Sequence, residues 1–286
     1  NAVADRIAKE VVGLGRTLGN GAHQKRGPSP MKTQTAQPSS AETVPSIHQV
    51  DVAESLDWLA AGVRTFAAAP ASSLLYGTLF TLACWFTVAL TWALPWFTIA
   101  FFTGLLLLGP FLAAGLYVAA RQREAGEPVS IGAGFELVRE RRTNLSLFAL
   151  LLGLIAAAWV RLSALIFAVQ FNLFSPSIEG YVGILSGHFD PAVMTFFFGI
   201  GFLLAAAVFT ISAVAVPMIL DRDAGPITAM QTSYHAVRSN LPAMTVWAAL
   251  IVAASGLGIL TLFVGMIVLF PILGYATWAS YRRLVA

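Results

Sequence analysis

Hydrophobic positions along this chain follow two rhythms that alternate three times. In short stretches the apolar residues stand three or four apart: Leu56, Leu59, Val63 and Phe66; then Ile131, Phe135 and Val138; then Ile227, Met230, Tyr234, Val237 and Leu241. Such intervals place them on one face of an α-helix. Polar residues, among them Glu54, Asp57, Glu136, Arg139, Gln231 and Arg238, take the opposite face. Each stretch reaches a Val-Arg pair (Val63-Arg64, Val138-Arg139, Val237-Arg238) and then gives way to long apolar sequence. A helix of this kind lies along a headgroup layer with its apolar side down. Ser130 and the entry Pro226-Ile227-Thr228 supply helix starts.

The apolar sequence that follows is divided by length. A helix needs about twenty residues, at ~1.5 Å of rise each, to cross a hydrocarbon core of ~30 Å. Six segments qualify: residues 71–94, 96–120, 145–171, 193–220, 242–262 and 264–281. The predicted fold is therefore all-α, a polytopic membrane protein whose six transmembrane helices form three repeated units, each an amphipathic helix plus a transmembrane hairpin. The last two spans share one apolar run with Gly265 as the turn residue, and one long helix there is the alternative. Prolines recur in the even-numbered spans. Gly109-Pro110-Phe111-Leu112, with Tyr117 and Arg121, returns as Phe270-Pro271-Ile272-Leu273 with Trp278 and Arg282 at the same offsets. The segment Arg222-Asp223-Ala224-Gly225-Pro226 mirrors Arg123-Glu124-Ala125-Gly126-Glu127-Pro128. A proline inside a span removes a backbone donor and kinks the helix, and three units starting from one side make a parallel repeat.

Charge sets the orientation. Arg64, Arg121, Arg123, Arg139, Arg141, Arg142, Arg222, Arg238, Arg282 and Arg283 all fall on one side of the six-span arrangement. The opposite connections carry only Glu179 and Asp190 as charges. Because positive residues accumulate on cytoplasmic flanks, both termini are expected in the cytoplasm and the protein in a bacterial inner membrane. Trp92, Trp96, Tyr117, Trp278 and Tyr281 stand near span ends, as an aromatic belt would. The small residues Ala249, Ala253, Ala254 and Gly258 provide a face for close helix packing.

Composition agrees with lipid as the solvent. The 286 residues are 57% hydrophobic and 11% charged, with a mean hydropathy of +0.76, where a soluble chain carries roughly a quarter charged residues. The pI of about 9.2 reflects arginines clustered at span ends rather than a nucleic-acid surface. Residues 1–46 read as a disordered or extraneous cytosolic tail, with the transmembrane domain at 47–286. The tail has no apolar core for a signal peptide, and Met31, opening a Ser/Thr/Gln/Pro-rich tract, is the expected natural start.

Chemistry is sparse. Cys84 is the sole cysteine, so neither an intrachain disulfide nor a cysteine metal site is available. No phosphate loop, nucleophile elbow or zinc-protease motif is present, and four histidines, two of them (His23 and His48) in the amino-terminal part, exclude multi-haem ligation. His188 and Asp190 lack a third metal ligand. No catalytic, cofactor or metal residue is expected, and no cofactor. The candidate polar residues are Arg161, Asp221, Arg222, Asp223 and His235. Arg161 lies about 24 Å along its span at ~1.5 Å per residue. It either snorkels outward toward Glu179 or Asp190 or serves an ion path. Asp221-Arg222-Asp223 is a self-neutralising helix stop or, less completely, part of a divalent-cation site. His235, with Thr232, Ser233 and Asn240, faces that cluster or solvent.

Several residues together carry a family likeness: Trp58-Leu59 with Gly62, Pro70 with Tyr76-Gly77, Gly109-Pro110 with Gly115-Leu116-Tyr117, Trp159 and Arg161, Leu220-Asp221-Arg222-Asp223, Thr232-Ser233, Trp247-Ala248, and Pro271 with Gly274, Ala276, Trp278, Tyr281 and Arg282. From about Ile47 to Val285 the chain resembles an uncharacterised proteobacterial family of predicted six-helix inner-membrane proteins with a domain of unknown function. The resemblance implies fold and membrane without an activity. Relatives in that family often have histidines where this chain has Tyr275 and Ala279, and some are labelled respiratory-oxidase subunits; the missing histidines speak against a haem-bearing role here. The expected function is a non-enzymatic structural, assembly or accessory subunit, whose partners are the bilayer and other membrane proteins and not nucleic acid. A small-solute transporter or channel, using Arg161 or Asp221 as a selectivity element, is the alternative.

Overall fold

The structure, a computed structural model, describes residues 45–92, 100–102, 104, 105, 108–170 and 191–285. All lie in the larger of the chain's two units, Glu42–Ala286. Most of the tail read as 1–46, the outer connection with Glu179, His188 and Asp190, and the tip of the first hairpin fall outside the described residues. The helices are α1 Glu54–Ala68, α2 Pro70–Thr91, α3 Gly109–Leu112, α4 Ala114–Glu124, α5 Ile131–Glu140, α6 Arg142–Gln170, α7 Pro191–Ser212, α8 Ala215–Arg222, α9 Pro226–Ser239, α10 Leu241–Leu260 and α11 Met266–Leu284.

Among the described residues, four helical stretches are long and apolar enough to cross a membrane: Pro70–Thr91, Arg142–Ile166, Thr195–Arg222 and Leu241–Leu260. The other two expected spans differ for identifiable reasons. Within 96–120 the chain turns at Leu108 and again at Ala113, which isolates the single turn α3 from α4. Helix α4 is then enclosed by protein, with Leu116, Tyr117, Val118, Ala119 and Ala120 all buried. Helix α11 starts apolar and ends polar, and its later residues Tyr275, Trp278, Ser280 and Tyr281 are buried inside the molecule. Pro271 lies within α11 and does not end it.

The expected span 193–220 is also interrupted. Helix α7 stops at Ser212 and α8 begins at Ala215, with Pro217 just beyond the break. A proline cannot donate to the preceding turn, and α9 closes the gap by another route. The buried Ser233 hydroxyl donates to the Thr210 carbonyl at 2.8 Å and accepts the Val214 N–H at 3.4 Å.

The final apolar run is two helices, and the reversal does not centre on Gly265. Leu262 and Phe263 take the left-handed conformation, with φ of 51° and 67°, which costs a non-glycine residue roughly 1–2 kcal/mol. Donors from α2 compensate. Thr81 Oγ1 reaches the Phe263 carbonyl at 3.1 Å and Trp85 Nε1 reaches that of Leu262 at 2.8 Å. Phe102 stacks on Phe263 with ring centroids 4.5 Å apart.

The amphipathic helices pack with a face that only partly overlaps the expected stripe: Val237 of α9 is buried, and Phe66, Val138 and Met230 are half-buried against the core. Helix α1 buries Ser55, Trp58 and Gly62 and packs on α11, while Leu56 is 58% exposed and Val63 48%. In α5 Gly134 is buried and Phe135 is exposed. In α9 Ala229, Thr232, Ser233 and Ala236 are buried, the helix packs on α7 and α8, and Ile227 and Tyr234 are exposed. Small residues dominate the protein contact, with Trp58 as the large exception on α1, because they let backbones approach. At Gly62 a Cβ would collide with the Ile272 carbonyl oxygen. The large apolar side chains are left outward, on the side a headgroup layer would cover.

The amino-terminal arm is fixed by one amide. Asn240 donates from Nδ2 to the carbonyls of His48 (3.0 Å) and Ala236 (3.1 Å) and accepts the Val50 N–H at 2.8 Å. Beside it Ile47 pairs antiparallel with Val285, and the His48 N–H donates to the Leu284 carbonyl at 3.0 Å. Ser55 adds a bond to the Ala243 carbonyl at 2.8 Å. The hydrophobic core below is one cluster that includes Trp58, Tyr117, Ile219, Trp247 and Leu284, with Trp58 edge-on to Trp247 at 5.9 Å.

Candidate functional site

Three helices end against one another: α4 with its last turn at Arg121–Glu124, α8 with Asp221 and Arg222, and α11 with Tyr281 and Arg282. Where they meet, Asp221 is the shared acceptor. Its side chain, only 15% exposed, lies 3.2 Å from Arg121 Nε and 3.6 Å from Arg282 Nη1, and takes a 2.8 Å bond from the Tyr281 hydroxyl. One carboxylate therefore ties all three helix ends together. The positions that repeated in the sequence, Arg121 and Arg282, are its two cationic partners.

The neighbours extend the network. Arg222 donates to the Tyr281 hydroxyl at 3.1 Å and to the Val285 carbonyl at 3.3 Å. Glu124 receives Arg282 Nε and Trp278 Nε1, each at 3.0 Å. Partial burial would lower the Arg282 pKa, but the Glu124 and Asp221 carboxylates outweigh it and hold the guanidinium above its ordinary value. Asp223, itself at φ 56° where the helix ends, pairs with Arg141 Nη1 and accepts Asn144 Nδ2 at 3.2 Å. That bond reaches to the start of α6.

Asp221-Arg222-Asp223 closes α8 as a helix stop, and its two carboxylates pair with arginines of other elements. Asp221 and Arg222 both reach Tyr281 of α11, Asp221 reaches α4 as well, and Asp223 reaches Arg141 and α6. Among the described residues no group of three or more His, Cys, Asp or Glu side chains is arranged to hold a metal.

The remaining sequence candidates are not brought here. His235 is exposed on α9, edge-on to Tyr234 at 5.6 Å, on the side away from the buried residues of that helix. Arg161 is exposed on α6 beside the exposed Leu165; the suggested partners Glu179 and Asp190 lie outside the described residues. Tyr281, Trp278, Glu124 and Arg121 were missed as site residues. By sequence Trp278 and Tyr281 read as belt aromatics and Arg121 as an orientation charge, and the matched offsets of Arg121 and Arg282 are the one signal of a shared place.

Beside the network a cavity of about 620 Å³ opens between α1, α4 and α11. Its walls carry Arg64, Arg123, Arg282 and Arg283 with Asp57 and Glu124. Helix α1 lines it with Asp57, Trp58, Ala61, Arg64, Thr65 and Ala68, a face that adjoins the one packed on α11 and shares Trp58 with it.

Comparison with known proteins supports the membrane assignment. Residues 97–221, a little under half of the chain, match the family described as "Predicted integral membrane protein (DUF2189)", and the match ends at Asp221. That agrees with the resemblance to a membrane family bearing a domain of unknown function. Neither a curated protein nor a solved structure matches the chain.

Proposed function

We propose that this chain is a non-catalytic accessory or assembly subunit of a bacterial inner membrane, crossing it six times with both termini in the cytoplasm. The observation that carries the accessory role is the bare face of α10. Ala249 and Ala253 are exposed, and a Cβ built at Gly256 meets nothing within 4 Å. Small residues on an apolar helix permit close approach of another helix, and among the described residues no other helix covers them. Further along the same helix Gly258 shows the difference, since it is buried beneath Met266 within the chain.

Six spans and a threefold repeat account for the arginine-bearing ends. Helices α4, α8 and α11 converge on Asp221, which keeps the inner ends of the second, fourth and sixth segments on one side. Helices α1, α5 and α9 pack on α11, α4 and α8 respectively, so each following apolar helix departs from that same level. These contacts support a reading in which the arginines named as orientation signals share one compartment, as cytoplasmic residues do. Transport gains little support from the placement of its two candidate residues. Asp221 is spent on joining helices, and Arg161 lies on the outside of α6.

Purification of the natural protein in mild detergent tests the role: stoichiometric membrane partners are expected, and a chain that always purifies alone rejects it. Reporter fusions near Arg141 and at the carboxyl end test the topology. Both should report the cytoplasm, and opposite sides would rule out the arrangement.

A further inference from the structure

We propose that the cavity between α1, α4 and α11 binds the phosphate of an anionic phospholipid headgroup. Two of its four guanidinium groups, those of Arg64 and Arg123, have no ion pair or hydrogen bond among the described residues, although they line one cavity from facing helices. The other two are engaged: Arg282 with Glu124 and Asp221, and Arg283 with Glu54 at 3.9 Å. Glu124 is in turn neutralised by Arg282 and bonded by Trp278. What is left facing the cavity is two unpaired cations against Asp57.

Arg64 and Arg123 are exposed, like charges set around a concave space raise its affinity for an anion, and a guanidinium fork matches the oxygens of a phosphate. The volume of about 620 Å³ is ample for a headgroup. Position then favours a lipid over a soluble phosphate. Helix α1 runs through Ala69 directly into the apolar α2, so the cavity stands where hydrocarbon gives way to headgroups, and basic pockets between helices at that depth take anionic headgroups. On the same helix Leu56 and Val63 are exposed, a surface along which acyl chains can lie. The inference needs only that α2 crosses the bilayer; the span count, sidedness and accessory role can each fail without it.

Native mass spectrometry of the full chain in neutral detergent, titrated with phosphatidylglycerol against phosphatidylcholine, tests it. Wild type should retain one phosphatidylglycerol with a preference of about tenfold or more, the scale of two arginines near a charged headgroup. The pair Arg64→Gln and Arg123→Gln should abolish that preference, Arg64→Lys with Arg123→Lys should keep part of it, and Arg139→Gln, exposed on α5 outside the cavity, should leave it unchanged. Asp57→Asn should tighten binding by about twofold to fivefold, because it removes the opposing charge; this sign decides the matter should the double glutamine variant fail to fold. No preference in wild type, an undiminished preference in a folded double glutamine variant, or weaker binding in Asp57→Asn would overturn the proposal. Displacement of the lipid by millimolar inorganic phosphate would assign the cavity to a soluble anion and overturn the lipid source.

Discussion

The end of the molecule where α4, α8 and α11 meet and the long helices α2, α6 and α10 are built by opposite means. In the most apolar 18-residue part of α2 and of α6, 28% of residues are buried, and in that of α10 22%, against 56% in that of Thr195–Arg222, which runs into the network. The arginine-bearing end holds the buried tyrosines, the ion pairs around Asp221 and the Asn240 clamp. The difference follows from the solvent. Lipid competes weakly with an exposed leucine, so a span need not bury its apolar surface in protein. At the water-facing end burial is rewarded, and buried polar groups must find partners. The fold is held at its rim, and the spans remain open to lipid or to other chains.

Substitutions at glycines separate the two regions most sharply. Gly62→Leu should destabilise the chain by about 3 kcal/mol or more, since overpacking costs about 1–3 kcal/mol even where side chains can yield and here a backbone oxygen blocks the way. The expected readout is loss of the monodisperse peak after brief heating in detergent, and a normal melting profile would show that α1 is not seated as described. Asn240→Ala comes next, at about 2–4 kcal/mol, because it leaves the Val50 N–H and the His48 carbonyl without their partner. Faster proteolysis after the arm around His48 should accompany the lower melting temperature; protection equal to wild type would discount the clamp.

Asp221→Asn should cost about 1–2 kcal/mol, discounted because Arg121 and Arg282 are partly exposed and screened. High salt should narrow the gap to wild type, and a gap that salt does not change would mean that ion pairing is not what joins the three ends. The smallest effect is expected at Gly256→Leu, within about 0.5 kcal/mol for the isolated chain, as for surface positions generally. Under the accessory reading the same change should nonetheless weaken recovery of membrane partners. Undiminished partner recovery would remove α10 as the contact face.

Local pattern carried much of this design. The spacing of three and four marked α1, α5 and α9, and the arginines marked the shared end, since both depend on residues close in sequence. Their packing did not follow from the same signal. A stripe such as Leu56 and Val63 announces an apolar face, but Gly62 and Ser55, which make the protein contact together with Trp58, carry almost no hydropathy. The Asn240 clamp joins positions 190 and 192 residues apart, and Ser233 bridges a helix break on another element; neither partner can be read from spacing. Gly265 was the natural candidate for the last turn on local grounds, whereas Leu262 and Phe263 bend there because Thr81 and Trp85 await their carbonyls.

That tip has a consequence for biosynthesis. Trp85 and Leu262 are 177 residues apart, an interval of roughly ten to thirty-five seconds at translation rates of about 5–20 residues per second. Throughout it α2 has emerged while the hairpin that caps it has not. The indole and hydroxyl of α2 therefore serve as a docking cue that matures late, and the nascent chain passes through a stage in which its first apolar helix waits for its last.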